Sequence, residues 1–379
     1  MQFSFLNELK IIRSDLNQAW LNIKNNGISL LDVAASVCSV ALAIYITYVF
    51  NFEYSMWAAF SAYVVMRPFF KQTLSRGLLR IAGTLLGGAC GVVLVLLFQR
   101  ELNVFSVCLI FFIVSSVSAY YANVLSDQYN YAVLFFGLTF ILIVGHAFAE
   151  PQQDILQIGL MRAADVMVGS LSTIFVSAVL QLAIKHRAMP IAHAASSSSL
   201  SPIKLVSPQL HSDKKQHLFF ALLSGGAIAL TPLLVMLGGQ LIFIQAAVSI
   251  LAVSNQPRTA SIDLPAASMK KIIYRALGCF SGALLGMGFN FICVYFSSYA
   301  LLMLLTLVGT ALGKILQDSS ADSSYMGAQF AVGLLMVSVH DSASLLNDRY
   351  GVHRFLGVMV GLAILAGMLA LFAPRQKLD

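Results

Sequence analysis

The stretch "RIAGTLLGGACG", Arg80–Gly91, returns as "RALGCFSGALLG", Arg275–Gly286. Arg80, Gly83, Gly87 and Gly91 align with Arg275, Gly278, Gly282 and Gly286 at one constant offset of 195. Farther along, "RAADVMVG" (Arg162–Gly169) faces "RFLGVMVG" (Arg354–Gly361), and Tyr131 with His146 faces Tyr325 with His340 at an offset of 194. Pro68 faces Pro257, with a six-residue insertion after it in the second copy. Four matches in the same order read as an internal duplication.

The chain of 379 residues is 59% hydrophobic and 10% charged. A soluble domain carries about 25% charged residues, so this much apolar surface points to a polytopic membrane protein. The net charge of +7 is no nucleic-acid signal, because the basic residues fall between apolar runs. Twelve such runs lie near 29–50, 54–69, 81–98, 102–120, 130–148, 158–182, 218–236, 239–254, 276–296, 299–316, 324–341 and 351–373. Each is about long enough to cross ~30 Å of hydrocarbon as a helix.

Charge tests that count. With the N-terminus in the cytoplasm, 19 of the 23 basic residues fall on inner segments, and Arg100, Arg162, Arg349 and Arg354 fall outside. The positive-inside rule thus favours twelve spans with both ends cytoplasmic. Six spans per copy, an even number, make the repeats parallel, related by a pseudo-two-fold axis along the membrane normal. The expected organisation is an amphipathic N-terminal segment at 1–28, a first six-helix repeat at 29–185, a cytoplasmic linker at 186–217 and a second repeat at 218–374. In the first segment Phe5, Leu9, Ile12, Leu16, Trp20 and Ile23 recur every three or four residues, a membrane-surface pattern or a solvated leader. No cleavable signal peptide is expected, since the first long apolar run starts near Ile28.

The duplicated glycines Gly83, Gly87, Gly91 and Gly278, Gly282, Gly286 form GxxxGxxxG stripes. Such stripes let a neighbouring helix backbone approach closely, so spans three and nine are expected to be tightly packed inner helices. Cys38, Cys90, Cys108, Cys279 and Cys293 show no metal or redox spacing and read as small buried side chains.

Arg80 and Arg275 sit at the inner ends of spans three and nine, and Arg162 and Arg354 near the outer ends of spans six and twelve. They either anchor the topology by snorkelling or face the central axis, where paired guanidinium groups attract carboxylates. Spans two and eight are short and end at Pro68 and Pro257, and interrupted segments at matching places mark a transporter's binding site. Trp57 and Gln245 lie near their middles, Trp57 as a stacking surface or as an interfacial anchor. His146 and His340 are candidates for a coupling proton. So is Asp165, though it stands three residues from Arg162 and can simply neutralise it. "GTALGK" (Gly309–Lys314) is one residue short of a P-loop and is followed by Ile315; with no HExxH either, neither ATP-driven transport by this chain alone nor metalloproteolysis is expected, and no cofactor is implied.

"WAAFSAYVVMRP" (Trp57–Pro68), a basic loop and "RGLLRIAGTLLGGACG" (Arg76–Gly91), then "YAVLFFGLTF" (Tyr131–Phe140) and "RAADVMVG", resemble the fusaric acid resistance or aromatic acid exporter family. The resemblance implies a non-enzymatic exporter of aromatic carboxylic acids and related toxic compounds in the bacterial inner membrane. It is expected to be proton-driven and sometimes to work beside a periplasmic adaptor protein. Similar folds in plants form dimeric anion channels with basic residues along the pore, which supports Arg80, Arg275, Arg162 and Arg354 as lining candidates and brings a homodimer into view. Larger members carry a sizeable cytosolic domain after each membrane half; here the linker is short. A passive anion channel of the same architecture, and a non-transporting scaffold or an enzyme acting on lipid-soluble substrates, are the alternatives.

Overall fold

Breaks in apolar character set the helix boundaries. The computed structural model describes residues 13–14, 17, 21, 29–52, 55–98, 101–125, 129–186, 214–237, 240–255, 264–319, 324–339 and 349–372. Most of the amphipathic pattern at 1–28 and of the linker at 186–217, with His340 and Pro257, lies outside them. The described residues form α1 (Leu30–Val49), α2 (Ser55–Val65), α3 (Phe70–Phe98), α4 (Val104–Val124), α5 (Tyr129–Ala149) and α6 (Ile155–His186). After the linker come α7 (Lys214–Ala229), a 3-10 helix (Thr231–Leu237), α8 (Gln240–Ser254), α9 (Leu264–Tyr295), α10 (Tyr299–Ser319), α11 (Ser324–Ser338) and α12 (Arg349–Phe372).

Local chemistry starts and stops these helices. Ser29 caps α1 by accepting the Asp32 amide proton at 3.3 Å. Asn103 and Ser106 form a reciprocal capping box at the start of α4. The Asp154 carboxylate accepts the Leu156 amide at 2.9 Å ahead of α6. Pro232 lacks an amide donor, so α7 gives way to the 3-10 turn that contains it.

Among the described residues nine segments are long and apolar enough to cross a membrane, and α2, α8 and α11 are shorter apolar helices. Large apolar side chains such as Phe105, Phe291, Tyr295 and Leu371 stand more than three-quarters exposed around the outside. Water would penalise that surface and lipid accepts it. The molecule is a multi-pass membrane protein.

Two helices depart from the expected bounds. Helix α3 begins at Phe70 rather than near residue 81, and α9 at Leu264 rather than near 276. Hydropathy marks where the apolar run starts. The basic residues ahead of it are good helix formers and extend the helix at its N-terminal end. Arg76, Arg80, Lys271 and Arg275 therefore ride on regular helix, not on loop.

Packing follows the glycines. An added Cβ at Gly83 or Gly87 would run into the carbonyl oxygens of Ala132 and Phe136 on α5. The same atom at Gly278 or Gly282 would run into those of Met326 and Phe330 on α11. The partners are themselves 194 positions apart, so α3 meets α5 at the same register as α9 meets α11. Gly169 lies against the Ala58 carbonyl, bringing α6 onto α2, and Gly361 lies against that of Ala246, bringing α12 onto α8. Between the two sets, α4 packs on α7, α1 on α10, α5 on α8 and α2 on α11. Phe111 of α4 and Phe243 of α8 stack with centroids 6.4 Å apart. The Asn123 amide donates to the Ser254 carbonyl at 3.0 Å, joining α4 to the end of α8.

Candidate functional site

Where α2, α3, α5 and α6 face α8, α9, α10 and α11, a cavity of about 340 Å³ remains. Six basic residues line it: Arg67, Arg76, Arg80, Arg162, Lys271 and Arg275. No aspartate or glutamate does, among the described residues. Trp57, Phe60, Tyr63, Tyr131, Phe135 and Tyr325 supply aromatic surface. Cationic donors set among rings suit a small anion with an apolar body.

The arginines point inward. Arg80, Arg275 and Arg162 are only 1%, 5% and 8% exposed, so none of the three turns to lipid. A guanidinium buried this deeply requires partners for its donors.

At Arg80 each of the three nitrogens has one. One oxygen, Ser61 Oγ, accepts from both Nε (3.1 Å) and Nη2 (2.9 Å). Nη1 donates to the Tyr131 hydroxyl at 3.3 Å. The Phe135 ring lies 3.9 Å from the guanidinium carbon and the Phe60 ring 4.9 Å.

Arg275 stands at the matching place with a different set. Nη1 donates to Gln329 Oε1 at 2.7 Å, and Nη2 reaches Ser249 Oγ at 3.4 Å. Its Nε makes no hydrogen bond, and the buried Tyr325 hydroxyl lies against the guanidinium without donating to any acceptor. Ser249, Tyr325 and Gln329 occupy the places of Ser61, Tyr131 and Phe135 in the first copy. Both tyrosines lie beneath a cation: Arg76 is 4.0 Å from the Tyr131 centroid, and Lys271 Nζ is 5.3 Å from that of Tyr325. Lys271 also donates to the Asn255 carbonyl.

Toward the other end, the Arg162 guanidinium lies 3.2 Å over the Trp57 ring. Phe60 meets that indole edge-on at 5.9 Å. Arg354 approaches this region without lining the cavity; its Nη1 contacts Met56 Sδ at 3.1 Å. Gln245 is buried against Gly357, also off the cavity wall. His146 Nδ1 donates to the Leu142 carbonyl at 2.8 Å, and Asp165 is buried on α6, one turn past Arg162. Neither belongs to the lining. Pro68 lies in the short link between α2 and α3, where the Thr73 hydroxyl bonds both the amide and the carbonyl of Arg67.

The structure thus gathers Arg80, Arg275, Arg162 and Trp57 around one space. It adds residues that sequence reasoning left unassigned: Ser61, Ser249, Gln329, Lys271 and the hydroxyls of Tyr131 and Tyr325. The signal was available. Tyr131 and Tyr325 match at the offset of 194, and Ser61 and Ser249 lie 188 apart, as do Trp57 and Gln245.

Over 156 residues the chain is 30% identical to the p-hydroxybenzoic acid efflux pump subunit AaeB of Edwardsiella ictaluri (strain 93-146), a match covering 38% of this chain and 23% of that protein. The matched part is thus less than a quarter of that relative's length. No solved structure matches the chain. The model of the fusaric acid resistance protein family matches residues 33–227, which is more than half of the sequence, and the chain belongs to that family.

Proposed function

We propose that this protein exports small organic anions, aromatic carboxylates first among them, across the bacterial inner membrane through the central cavity. One observation carries the reading: six cationic side chains and six aromatic ones line a single space, and its lining, among the described residues, includes no acidic residue. The positive charge of the lining draws the carboxylate into the space, and the rings accept its apolar body. Family membership and the substrate in the relative's name point the same way.

The reading takes the chain as twelve spans in two parallel six-helix repeats, at 29–185 and 218–374. The equivalent pairings of α3 with α5 and α9 with α11, and of α2 with α6 and α8 with α12, support it. The distribution of lysine and arginine supports placing both termini in the cytoplasm. A periplasmic adaptor protein and a second copy of the chain belong to the proposal as partners, to be checked by co-purification and by the mass of the purified particle.

Proton coupling through His146, His340 or Asp165 is the exporter form of the proposal. One observation favours a passive anion channel instead: neither His146 nor Asp165 lines the cavity. Proteoliposomes loaded with p-hydroxybenzoate and a pH-sensitive dye separate the two. A coupled exporter moves protons with the anion and concentrates it against a gradient. A channel dissipates the gradient without stoichiometric proton movement. No flux of any organic acid leaves the scaffold or enzyme reading.

A further inference from the structure

The two copies of the arginine site hold their guanidinium groups differently. A guanidinium presents Nε and one Nη as a side-on fork that matches the two oxygens of a carboxylate. In Arg80 that fork is filled, since Ser61 Oγ takes both Nε and Nη2. In Arg275 the corresponding serine, Ser249, is 3.4 Å from Nη2 and leaves Nε without a partner. Arg275 is 5% exposed and lines the cavity, as does Tyr325, whose buried hydroxyl lies against that guanidinium and donates to no acceptor. Two buried, adjacent, unpaired donors are costly in an apolar interior unless a ligand completes them.

We infer that the cavity is functionally lopsided: the anion docks on the Arg275 fork and the Tyr325 hydroxyl, while Arg80 is a wall residue that shapes the site without holding the ligand. This rests on reading the cavity as the substrate site. Gln329 accepts from Nη1 and leaves the Nε of Arg275 without an acceptor. Lys271, over the Tyr325 ring, adds positive charge on the same side. The opposite wall offers Phe60 and Phe135 where the second copy has Val248 and Gln329, so the ligand's apolar body lies toward the first copy. The ligand class is a planar monocarboxylate with a ring.

Binding of benzoate and of its uncharged isostere benzamide to the purified full-length chain in detergent tests this by calorimetry. Wild type is expected to prefer benzoate. Tyr325→Phe is expected to weaken benzoate about tenfold, the size of one hydrogen bond to a charged group, with benzamide little changed. Because that hydroxyl donates to no protein group, the same variant is expected to melt near the wild-type temperature. Arg275→Lys keeps the charge, loses the fork and is also expected to weaken benzoate about tenfold or more. Arg80→Lys and Tyr131→Phe melt lower yet keep benzoate affinity within about twofold, as residues of the wall rather than the site. The inference is overturned if Arg80→Lys or Tyr131→Phe costs affinity while Tyr325→Phe and Arg275→Lys do not. Wild type that fails to prefer benzoate over benzamide refutes the underlying reading of the cavity as well.

Discussion

Gly282 on α9 lies directly against the Phe330 carbonyl on α11, so close that a methyl group at position 282 overlaps the oxygen. The opposing atom is backbone and cannot swing aside. Gly282→Ala is therefore expected to destabilise the protein by about 1–3 kcal/mol or more, as overpacking does. Gly288→Ala, on the same helix with nothing within 4 Å, is expected to be neutral or to stabilise by about 0.5–1 kcal/mol. Thermal unfolding in detergent compares the two.

Ser61 holds the Arg80 fork with a single oxygen. Ser61→Ala leaves two buried donors without that acceptor and is expected to cost about 1–3 kcal/mol. Ser249→Ala removes one long hydrogen bond and is expected to cost less than half as much. Equal losses in the same unfolding assay contradict the difference between the two sites.

Trp57 carries Arg162 on its face. Trp57→Leu removes that face and is expected to cost about 0.5–2 kcal/mol in stability. The tryptophan is also a reporter. The chain has two tryptophans, so Trp20→Phe leaves Trp57 as its single indole. Emission from that variant is expected to change when benzoate occupies the cavity and to stay constant with acetate, which has no ring. No change with benzoate at saturating concentration contradicts Trp57's place on the ligand's path.

Tyr63 on α2 donates to Gln317 on α10 at 2.8 Å, a hydrogen bond that joins the two sequence copies at the Arg67 end of the cavity. A double-mutant cycle of Tyr63→Phe and Gln317→Leu is expected to return a coupling of about 0.5–1.5 kcal/mol in the resting protein. A conformation open at that end breaks the bond. Both variants are then expected to shift the protein toward it, read as faster cysteine labelling at an engineered cavity position.

Much of this arrangement is legible in the sequence because duplication marks it. Arg80 and Arg275 stand out by their shared glycines, and those glycines mark spans three and nine as closely packed helices. Other features are not legible, for identifiable physical reasons. Helices α3 and α9 begin earlier than hydropathy shows, because Lys71, Arg76, Lys270 and Lys271 are polar yet favour helix. Ser61 and Ser249 are ordinary residues of apolar helices until their distances to the two guanidiniums are known. Phe135 and Gln329 share a register but not a chemistry, so matching by residue type passes over the pair that makes the copies unequal. Trp57 reads either as a stacking surface or as an interfacial anchor, and only the structure shows Arg162 on one of its faces.

The central claim is that a carboxylate crosses the membrane through this cationic space, and radiolabelled p-hydroxybenzoate flux from proteoliposomes tests it most directly. Wild-type protein is expected to release the anion from preloaded vesicles, and Arg275→Gln, reconstituted to the same density and folded by its melting curve, is expected to fall to the rate of protein-free vesicles. Flux through Arg275→Gln equal to that of wild type contradicts the account.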